Sequence, residues 1–193
     1  MSNVLILFYS QHGATQKMAE HIAMGVESQD VEAKLRTVPS LSRMHRDAPQ
    51  EPTSYPYVEA QDLIDAGGLI LGSPTRFGNI SSNIQYFLES TLDIWLSGQL
   101  IGKPAGVFTS SDSLHGGQES TLLSMILPLM HHGMVVAGIP YHHPSLMQTK
   151  TGGTPYGASH VNLKPESGLS SDEKQLCWHL GETIAKLSLK LVN

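Results

Sequence analysis

The chain is poor in several features that mark particular classes of protein. It has a single cysteine among 193 residues, Cys177, so no internal disulfide can form and a reducing compartment is favoured. No apolar run approaches the ~18 residues of a membrane-spanning helix, and the first residues carry no basic stretch or cleavage site of an export signal. A net charge of −5 argues against a broad phosphate-binding face. We therefore expect a cytoplasmic protein whose main partner is neither nucleic acid nor a membrane.

Short apolar segments alternate along the chain with stretches of helical periodicity. Continuous apolar runs, typical of buried parallel strands, lie at 4–9, 68–72, 105–108 and 134–139, and the segment 31–36 alternates like a strand at an edge. Helical patterns lie at 18–26, at 84–92, at 122–130 with an interruption or bend near Pro128, and from a capping box of Ser170 and Glu173 to Leu191. This order predicts an α/β fold with five parallel strands and helices on both faces. We expect one domain over 1–193, with a proline-rich surface insertion near 38–58.

The first loop follows the first strand and precedes a helix. Loop one comprises Ser10, Gln11, His12, Gly13, Ala14 and Thr15. Its hydroxyls and the free N–H groups of the helix start can receive an anion. The lysine of a nucleoside-triphosphate loop and the G-x-G-x-x-G fingerprint are both missing from it. The loop suits the terminal phosphate of FMN, although a capped turn without any ligand uses the same residue types.

Two further loops follow the third and fourth strands, where α/β sheets bind their ligands. Loop three comprises Pro74, Thr75, Arg76, Phe77, Gly78 and Asn79, and loop four comprises Ser110, Ser111, Asp112, Ser113, Leu114, His115 and Gly116. A plain turn needs only the glycine or the proline of loop three, so its other residues indicate a binding role beside a flavin ring. Loop four, judged alone, is better explained as a mobile surface connection.

Four motifs together resemble one family. S-P-T-R-F-G-N at 73–79, H-G-G-Q-E at 115–119, H-H-G-M at 131–134 and G-G-T-P-Y-G-A at 152–158 are similar to the WrbA family of flavodoxin-fold NAD(P)H:quinone oxidoreductases. The resemblance runs in register over essentially the whole chain. It implies a flavodoxin-like strand order 2-1-3-4-5, FMN as cofactor, NADH or NADPH as reductant, a quinone as substrate, and a homotetramer or homodimer.

The resemblance also implies roles for individual residues. By matching positions, loop one would hold the FMN phosphate, loops three and four would contact the ring and ribityl chain, and His131 would be the catalytic residue at the flavin edge. Trp95 matches an aromatic residue that shapes the substrate pocket. His12 departs from the family, because many members have a tyrosine there that is associated with the nicotinamide nucleotide. Loop four departs as well, with serine and histidine in place of glycine.

The expected reaction is a hydride transfer through the flavin, with the nicotinamide and the quinone using one flat pocket in turn. Such a pocket predicts ping-pong kinetics, and Tyr141 is a further candidate for its aromatic wall beside Trp95 and Phe77. His131 or His132 could supply a proton to the quinone. The histidines show no zinc-ligand spacing, so we expect no metal site. A one-electron carrier of the flavodoxin type and a flavin-binding regulatory protein are the main alternatives, and a phosphate-binding or azoreductase-like enzyme of the same fold is a third.

The segment 138–147 and Cys177 are the remaining features of interest. The segment is too apolar for a free loop, so it packs either on its own domain or on another subunit. Cys177 lies within the apolar stripe of the last helix and is expected in the core.

Overall fold

The computed structural model describes residues 3–41, 54–163 and 168–191. The strands are β1 (Asn3–Phe8), β2 (Glu32–Thr37), β3 (Gly68–Pro74), β4 (Pro104–Ser111), β5 (Val135–Val136) and β6 (Ala158–Val161). The helices are α1 (Ala14–Glu27), α2 (Ala60–Asp65), α3 (Ser82–Glu89), α4 (Leu92–Leu96), α5 (Gln118–His131), α6 (Pro144–Gln148) and α7 (Ser171–Leu191). None of the helices in these ranges combines the length and apolarity needed to cross a membrane. Of the insertion expected near 38–58, residues 42–53 lie outside the described ranges.

All strand pairs in the sheet are parallel, in the order β2-β1-β3-β4-β5. The predicted flavodoxin-like order is confirmed. β3 and β4 are buried along their whole length, whereas β2 at the edge is only partly buried. This difference matches the continuous apolar pattern of the inner strands and the alternating pattern of β2.

The fifth strand differs from the prediction. Instead of a strand over 134–139, β5 covers only Val135–Val136 and pairs with the start of β4. β6 then pairs with the second half of β4, from Phe108 to Ser111, so the sheet has six strands rather than five. The chain leaves the sheet after β5 because Gly138 and Pro140 follow, and proline cannot donate a ladder hydrogen bond. It returns at β6, and the connecting residues 137–157 form an excursion outside the sheet.

Helices cover both faces of the sheet, as predicted. α1 and α7 pack with Ile6, Phe8 and other residues on one face, and α3 and α5 pack with Leu5, Leu7 and others on the opposite face. Alternate residues of β1 therefore enter different cores, as the period of two in a strand requires. Ile139 and Leu146 of the excursion are buried in the first core, so this segment packs at least partly on its own chain.

Three helix predictions can be compared with the structure. The expected capping box is present, because the Ser170 N–H donates to Glu173 Oε2 at 2.8 Å and the Glu173 N–H donates to Ser170 Oγ at 3.2 Å. The single helix expected at 84–92 is divided into α3 and α4 at Ser90 and Thr91. The helix expected to be interrupted or bent near Pro128 is not interrupted, since α5 continues through that residue to His131.

Candidate functional site

Loops one, three and four meet at the carboxyl edge of the sheet, because β1, β3 and β4 are parallel neighbours. The Thr15 and Ser110 hydroxyls are hydrogen-bonded at 2.9 Å in a buried position. The Thr75 N–H donates to the Ser110 carbonyl at 2.9 Å, and the Arg76 guanidinium donates to Gln11 Oε1 at 2.6 Å. These bonds join the three predicted loops into one structure.

Loop one presents N–H groups that have no acceptor among the described residues. Ser10 Oγ accepts from the N–H groups of Gly13 at 3.1 Å and Gln16 at 3.2 Å. Gly13 is the N-cap of α1 in the left-handed region, with φ of 86°, and as a glycine it supplies no side-chain cap of its own. Within the described ranges, no group accepts from the N–H of Gln11, His12, Ala14 or Thr15. Free donors at a positive helix end form a binding site for an anion.

Loop three is a tight turn that exposes a phenylalanine. Arg76 and Asn79 exchange backbone hydrogen bonds of 2.9 and 3.0 Å, and both residues between them have positive φ, 54° at Phe77 and 74° at Gly78. A bulky residue is strained in this region. The Phe77 side chain is fully exposed, at 107%, so core packing does not explain it. Strain combined with full exposure favours a role for Phe77 in contacting a ligand or another molecule.

Loop four is closed by its own hydrogen bonds. The Ser111 hydroxyl donates to the Ser113 carbonyl at 2.9 Å and accepts from the Ser113 N–H at 3.2 Å. The Gln118 amide donates to the carbonyls of Ser113 at 2.6 Å and Leu114 at 3.1 Å. A Cβ on Gly116 would come within 2.1 Å of Ser111 Oγ, so a larger residue there would displace the Ser111 hydroxyl from its hydrogen bonds. These bonds favour a fixed wall over the mobile connection considered from the sequence.

The three loops fit FMN in the type of donor they offer. Neutral hydroxyl and N–H donors gather at loop one, where a phosphate would meet the helix start, and loops three and four lie side by side at the ends of the neighbouring strands β3 and β4. No lysine is required to hold the phosphate in such a site, because the helix end supplies the favourable potential.

His131 and Trp95 lie together, but far from these loops. The Trp95 indole N–H donates to the His131 carbonyl at 2.7 Å, and both residues line a cavity of about 510 Å³. α5 begins beside loop four and its 14 residues span about 20 Å, so His131 lies at the opposite edge of the sheet. In a single chain, His131 therefore does not lie beside the loops that would hold the flavin, in contrast to the expectation from the family resemblance. Trp95 does not border these loops either.

His132 and Tyr141 occupy other positions. His132 is buried, and its Nε2 lies 3.1 Å from the Thr91 hydroxyl; burial, with a smaller effect of His131, lowers the pKa of His132. His131 is thus the exposed member of the pair. Tyr141 is 60% exposed on the 137–157 excursion. The three predicted substrate residues, His12, Trp95 and Tyr141, do not gather in one chain.

Glu173 is a buried polar centre that the sequence indicated only as a helix cap. Its Oε1 accepts from the N–H groups of Gly152 at 2.9 Å and Val161 at 3.0 Å, and its Oε2 lies 2.9 Å from His160 Nδ1. Although burial alone would raise the pKa of Glu173, the hydrogen bonds from His160, Ser170 and Val161 lower it to about 2. The contact between His160 and Glu173 could not be predicted from motif spacing, because only the fold brings these two residues together.

Cys177 is fully buried, as predicted, and burial together with Glu173 raises the pKa of its thiol. Among the residues that the structure describes, no three histidine, cysteine or acidic side chains converge as metal ligands would.

Comparison with known proteins identifies the family. The model of the family "NADPH-dependent FMN reductase" matches residues 3–143. The chain is 41% identical to an NAD(P)H dehydrogenase (quinone) of Syntrophobacter fumaroxidans, over 97% of this chain and 98% of that protein. It is 41% identical to a protein of the same name from Geobacter sulfurreducens, over 98% of each.

Solved structures show the same fold at low sequence identity. A flavodoxin, WrbA-like protein from Agrobacterium tumefaciens superposes with a TM-score of 0.69, 22% identity and 99% coverage of each chain. Flavodoxin 1 from Bacillus cereus gives a TM-score of 0.63 at 22% identity, covering 96% of this chain and 98% of that one. By its match to the family model and its identity to the full-length relatives, the chain belongs to the NADPH-dependent FMN reductase family and, within it, to the WrbA-like NAD(P)H dehydrogenases (quinone).

Proposed function

We propose that the protein is an FMN-dependent NAD(P)H dehydrogenase (quinone), which transfers two electrons from NADH or NADPH to a quinone. The observation that carries the proposal is the set of free N–H groups and hydroxyls in loop one, joined by hydrogen bonds to loops three and four. A neutral donor set at a helix start suits the phosphate of FMN and offers no lysine for a nucleoside triphosphate. NADH and NADPH are cytoplasmic reductants, and we place the enzyme there.

Loop one would hold the phosphate through backbone and hydroxyl donors. Ser10 Oγ already accepts two N–H groups, so its own proton is free to point at an anion. Thr15 and Ser110 share one hydrogen bond, which leaves one of the two hydroxyl protons for a ligand. Together with the N–H groups of Gln11, His12, Ala14 and Thr15, these donors would hydrogen-bond the oxygens of a phosphate without a charged side chain.

Loops three and four would bound the ring of the cofactor. FMN, when bound, supplies a ring that accepts a hydride and passes electrons on. Phe77, held out by the turn of loop three, and the closed backbone of loop four would orient that ring and limit access of water. A single open face then serves the nicotinamide and the quinone in turn.

An apolar helix face supports assembly into an oligomer. Leu123, Leu127 and Met130 on α5 are 44%, 62% and 60% exposed at helical spacing, and Trp95, Leu96 and Ile101 are exposed near the same edge of the sheet. Apolar faces of this kind are usually covered by another molecule. We propose a homotetramer, or at least a homodimer, in which this face is buried between copies of the chain.

Assembly would give His131 and Trp95 a role that a single chain cannot. Both lie at the edge opposite their own loops, so they can reach a flavin only in a neighbouring subunit. There His131 would donate a proton to the reduced quinone oxygen, and Trp95 would stack against a flat substrate.

Steady-state kinetics test the proposed reaction against the alternatives. Varying NADH or NADPH at several fixed quinone concentrations should give parallel double-reciprocal lines, because the first product leaves before the quinone binds. A flavodoxin-type carrier would show no turnover without a separate reductase, and a regulatory flavoprotein would show none at all. Intersecting lines would contradict the shared pocket, and no turnover with either nucleotide would contradict the enzyme.

A further inference from the structure

Gln118, the first residue of α5, is buried, although glutamine is usually exposed. It is only 3% exposed. Gly117 before it has φ of 90°, and a Cβ on Gly117 would lie 2.5 Å from the Gly78 Cα, so the helix starts in contact with loop three. The Gln118 side chain therefore begins at the point where loop four ends against loop three.

The Gln118 amide donates to two backbone carbonyls of loop four. Its Nε2 donates to the Ser113 carbonyl at 2.6 Å and to the Leu114 carbonyl at 3.1 Å. These two bonds use both protons of the amide nitrogen. They also fix the orientation of the amide, because an oxygen in place of Nε2 would face two carbonyl oxygens. The remaining atom, Oε1, is buried and has no hydrogen-bond partner among the described residues.

The unpaired oxygen of Gln118 argues against a role in stability alone. A buried polar atom without a partner is unfavourable, and a methionine of similar length would fill the same space without one. The Ser113 carbonyl would also keep two donors without Gln118, since the Ser111 hydroxyl at 2.9 Å and the Gly116 N–H at 3.2 Å both donate to it. Gln118 is therefore better explained by its effect on the orientation of loop four.

The two bonds from Gln118 determine the direction in which N–H groups of loop four point. Across a trans peptide, the carbonyl of one residue and the N–H of the next residue point in opposite directions. Gln118 draws the carbonyls of Ser113 and Leu114 toward the protein interior. The N–H groups of Leu114 and His115 therefore point outward, on the exposed side of loop four. Neither N–H has an acceptor among the described residues, so two successive donors are held free for a ligand.

We propose that Gln118 is a positioning residue, which holds the N–H groups of Leu114 and His115 in place to donate to the ring of FMN. The inference rests on the proposed function, because it takes loop four to border that ring. A hydride adds negative charge to the ring, and hydrogen bonds from fixed N–H donors strengthen as charge develops on the acceptor. Without the Gln118 amide, the protein therefore loses more affinity for reduced FMN than for oxidised FMN.

The midpoint potential of the bound flavin measures this difference without any catalysis. It is read by anaerobic titration with dithionite against a reference dye, on FMN-loaded wild type and variants. In Gln118→Met we expect affinity for reduced FMN to fall about tenfold more than affinity for oxidised FMN, which lowers the potential of a two-electron couple by about 30 mV. Gln118→Asn keeps an amide that is one methylene shorter, so its shift should be smaller. Gln61→Met, at an exposed position in α2, is the matched control and should leave the potential unchanged.

The outcomes separate positioning from a purely structural role. Urea unfolding of the apoproteins checks that each variant is folded, and if Gln118→Met does not fold, the shift in Gln118→Asn decides. Equal losses of affinity for oxidised and reduced FMN, which leave the potential at the wild-type value, would show a structural role only and overturn the inference. The expected shift in a protein that neither NADH nor NADPH reduces would support the positioning role and contradict the proposed enzyme. A chain that binds no FMN would overturn both.

Discussion

At the scale of single residues, Glu173 shows how one buried carboxylate can connect distant parts of a chain. It accepts hydrogen bonds from Gly152, Val161, Ser170 and His160, and so it ties the excursion, the end of β6 and the start of α7 together. The hydrogen bonds outweigh the effect of burial and keep the pKa of Glu173 at about 2. A carboxylate with a depressed pKa stabilises the fold above its unfolded pKa, and this stabilisation is lost as the pH falls through the folded value.

Replacing Glu173 should therefore change the acid dependence of stability. Between about pH 5 and pH 2 we expect the wild-type free energy of unfolding to fall by about 3 kcal/mol through this group. Glu173→Gln should be less stable at pH 7 and should lose correspondingly less on acidification, as measured by urea unfolding at each pH. Glu27→Gln, at an exposed position in α1, is the control. Identical pH profiles for wild type and Glu173→Gln would contradict the role of the carboxylate.

The hydroxyls of loops one and four form a second residue-scale unit. Ser10→Ala and Thr15→Ala should each lose one hydrogen bond to a charged phosphate, worth about 1.5–3 kcal/mol, or one to two decades of FMN affinity. Because Thr15 and Ser110 share a hydrogen bond, Thr15→Ala and Ser110→Ala should be non-additive in a double-mutant cycle. Fluorescence titration of the apoprotein with FMN measures this, with exposed Ser28→Ala as the control. Unchanged dissociation constants in Ser10→Ala and Thr15→Ala would show that the phosphate lies elsewhere.

Residues at the ends of strands could be predicted from the sequence, whereas contacts across the fold could not. Ser10, Thr75 and Ser110 each follow an apolar run, and parallel strands bring such positions to one edge. His160 and Glu173 are joined only because β6 lies beside β4 and α7 begins there. No local sequence pattern indicates that these two residues lie close together.

At the scale of elements, α5 links the two edges of the sheet. It starts at the closed turn of loop four and ends at His131, with Leu123, Leu127 and Met130 exposed along its length. The helical period was visible in the sequence, but the period alone did not show which apolar residues face the sheet and which face outward. It also did not show that His131 lies at the edge opposite the loops.

Placing a charge on this face tests the proposed assembly. Leu127→Lys should convert the oligomer to monomers in analytical ultracentrifugation, because burying an unpaired charge is unfavourable. FMN binding should persist, since loops one, three and four belong to one chain, while quinone turnover should fall at least tenfold if His131 and Trp95 act across the interface. Leu189→Lys, at an exposed position on α7, is the matched control. An unchanged oligomer in Leu127→Lys would contradict the proposed interface.

The fifth strand was predicted least accurately from the sequence. The run 134–139 is apolar enough for a strand, but Gly138 and Pro140 end the pairing after Val136. The strand resumes as β6 after the excursion. Periodicity detects each apolar segment separately and cannot show that two separated segments lie beside the same neighbour.

At the scale of the whole molecule, the parallel order 2-1-3-4-5 places three loops at one edge and leaves an apolar helix face uncovered. The order was expected from the family resemblance, and the layers followed from alternating strands and helices. Relatives named NAD(P)H dehydrogenase (quinone) align with this chain over 98% of their own length. The fold, the loops and the family are thus consistent with one flavin-dependent activity.

Anaerobic reduction of the FMN-loaded protein tests the proposed function most directly. The purified protein should be yellow, and rapid mixing with NADH or NADPH under nitrogen should bleach the flavin before any quinone is added. Adding a quinone should then restore the yellow colour in one turnover. A preparation that takes up no FMN, or one whose bound FMN stays oxidised with both nucleotides until a separate reductase is supplied, would contradict the proposal.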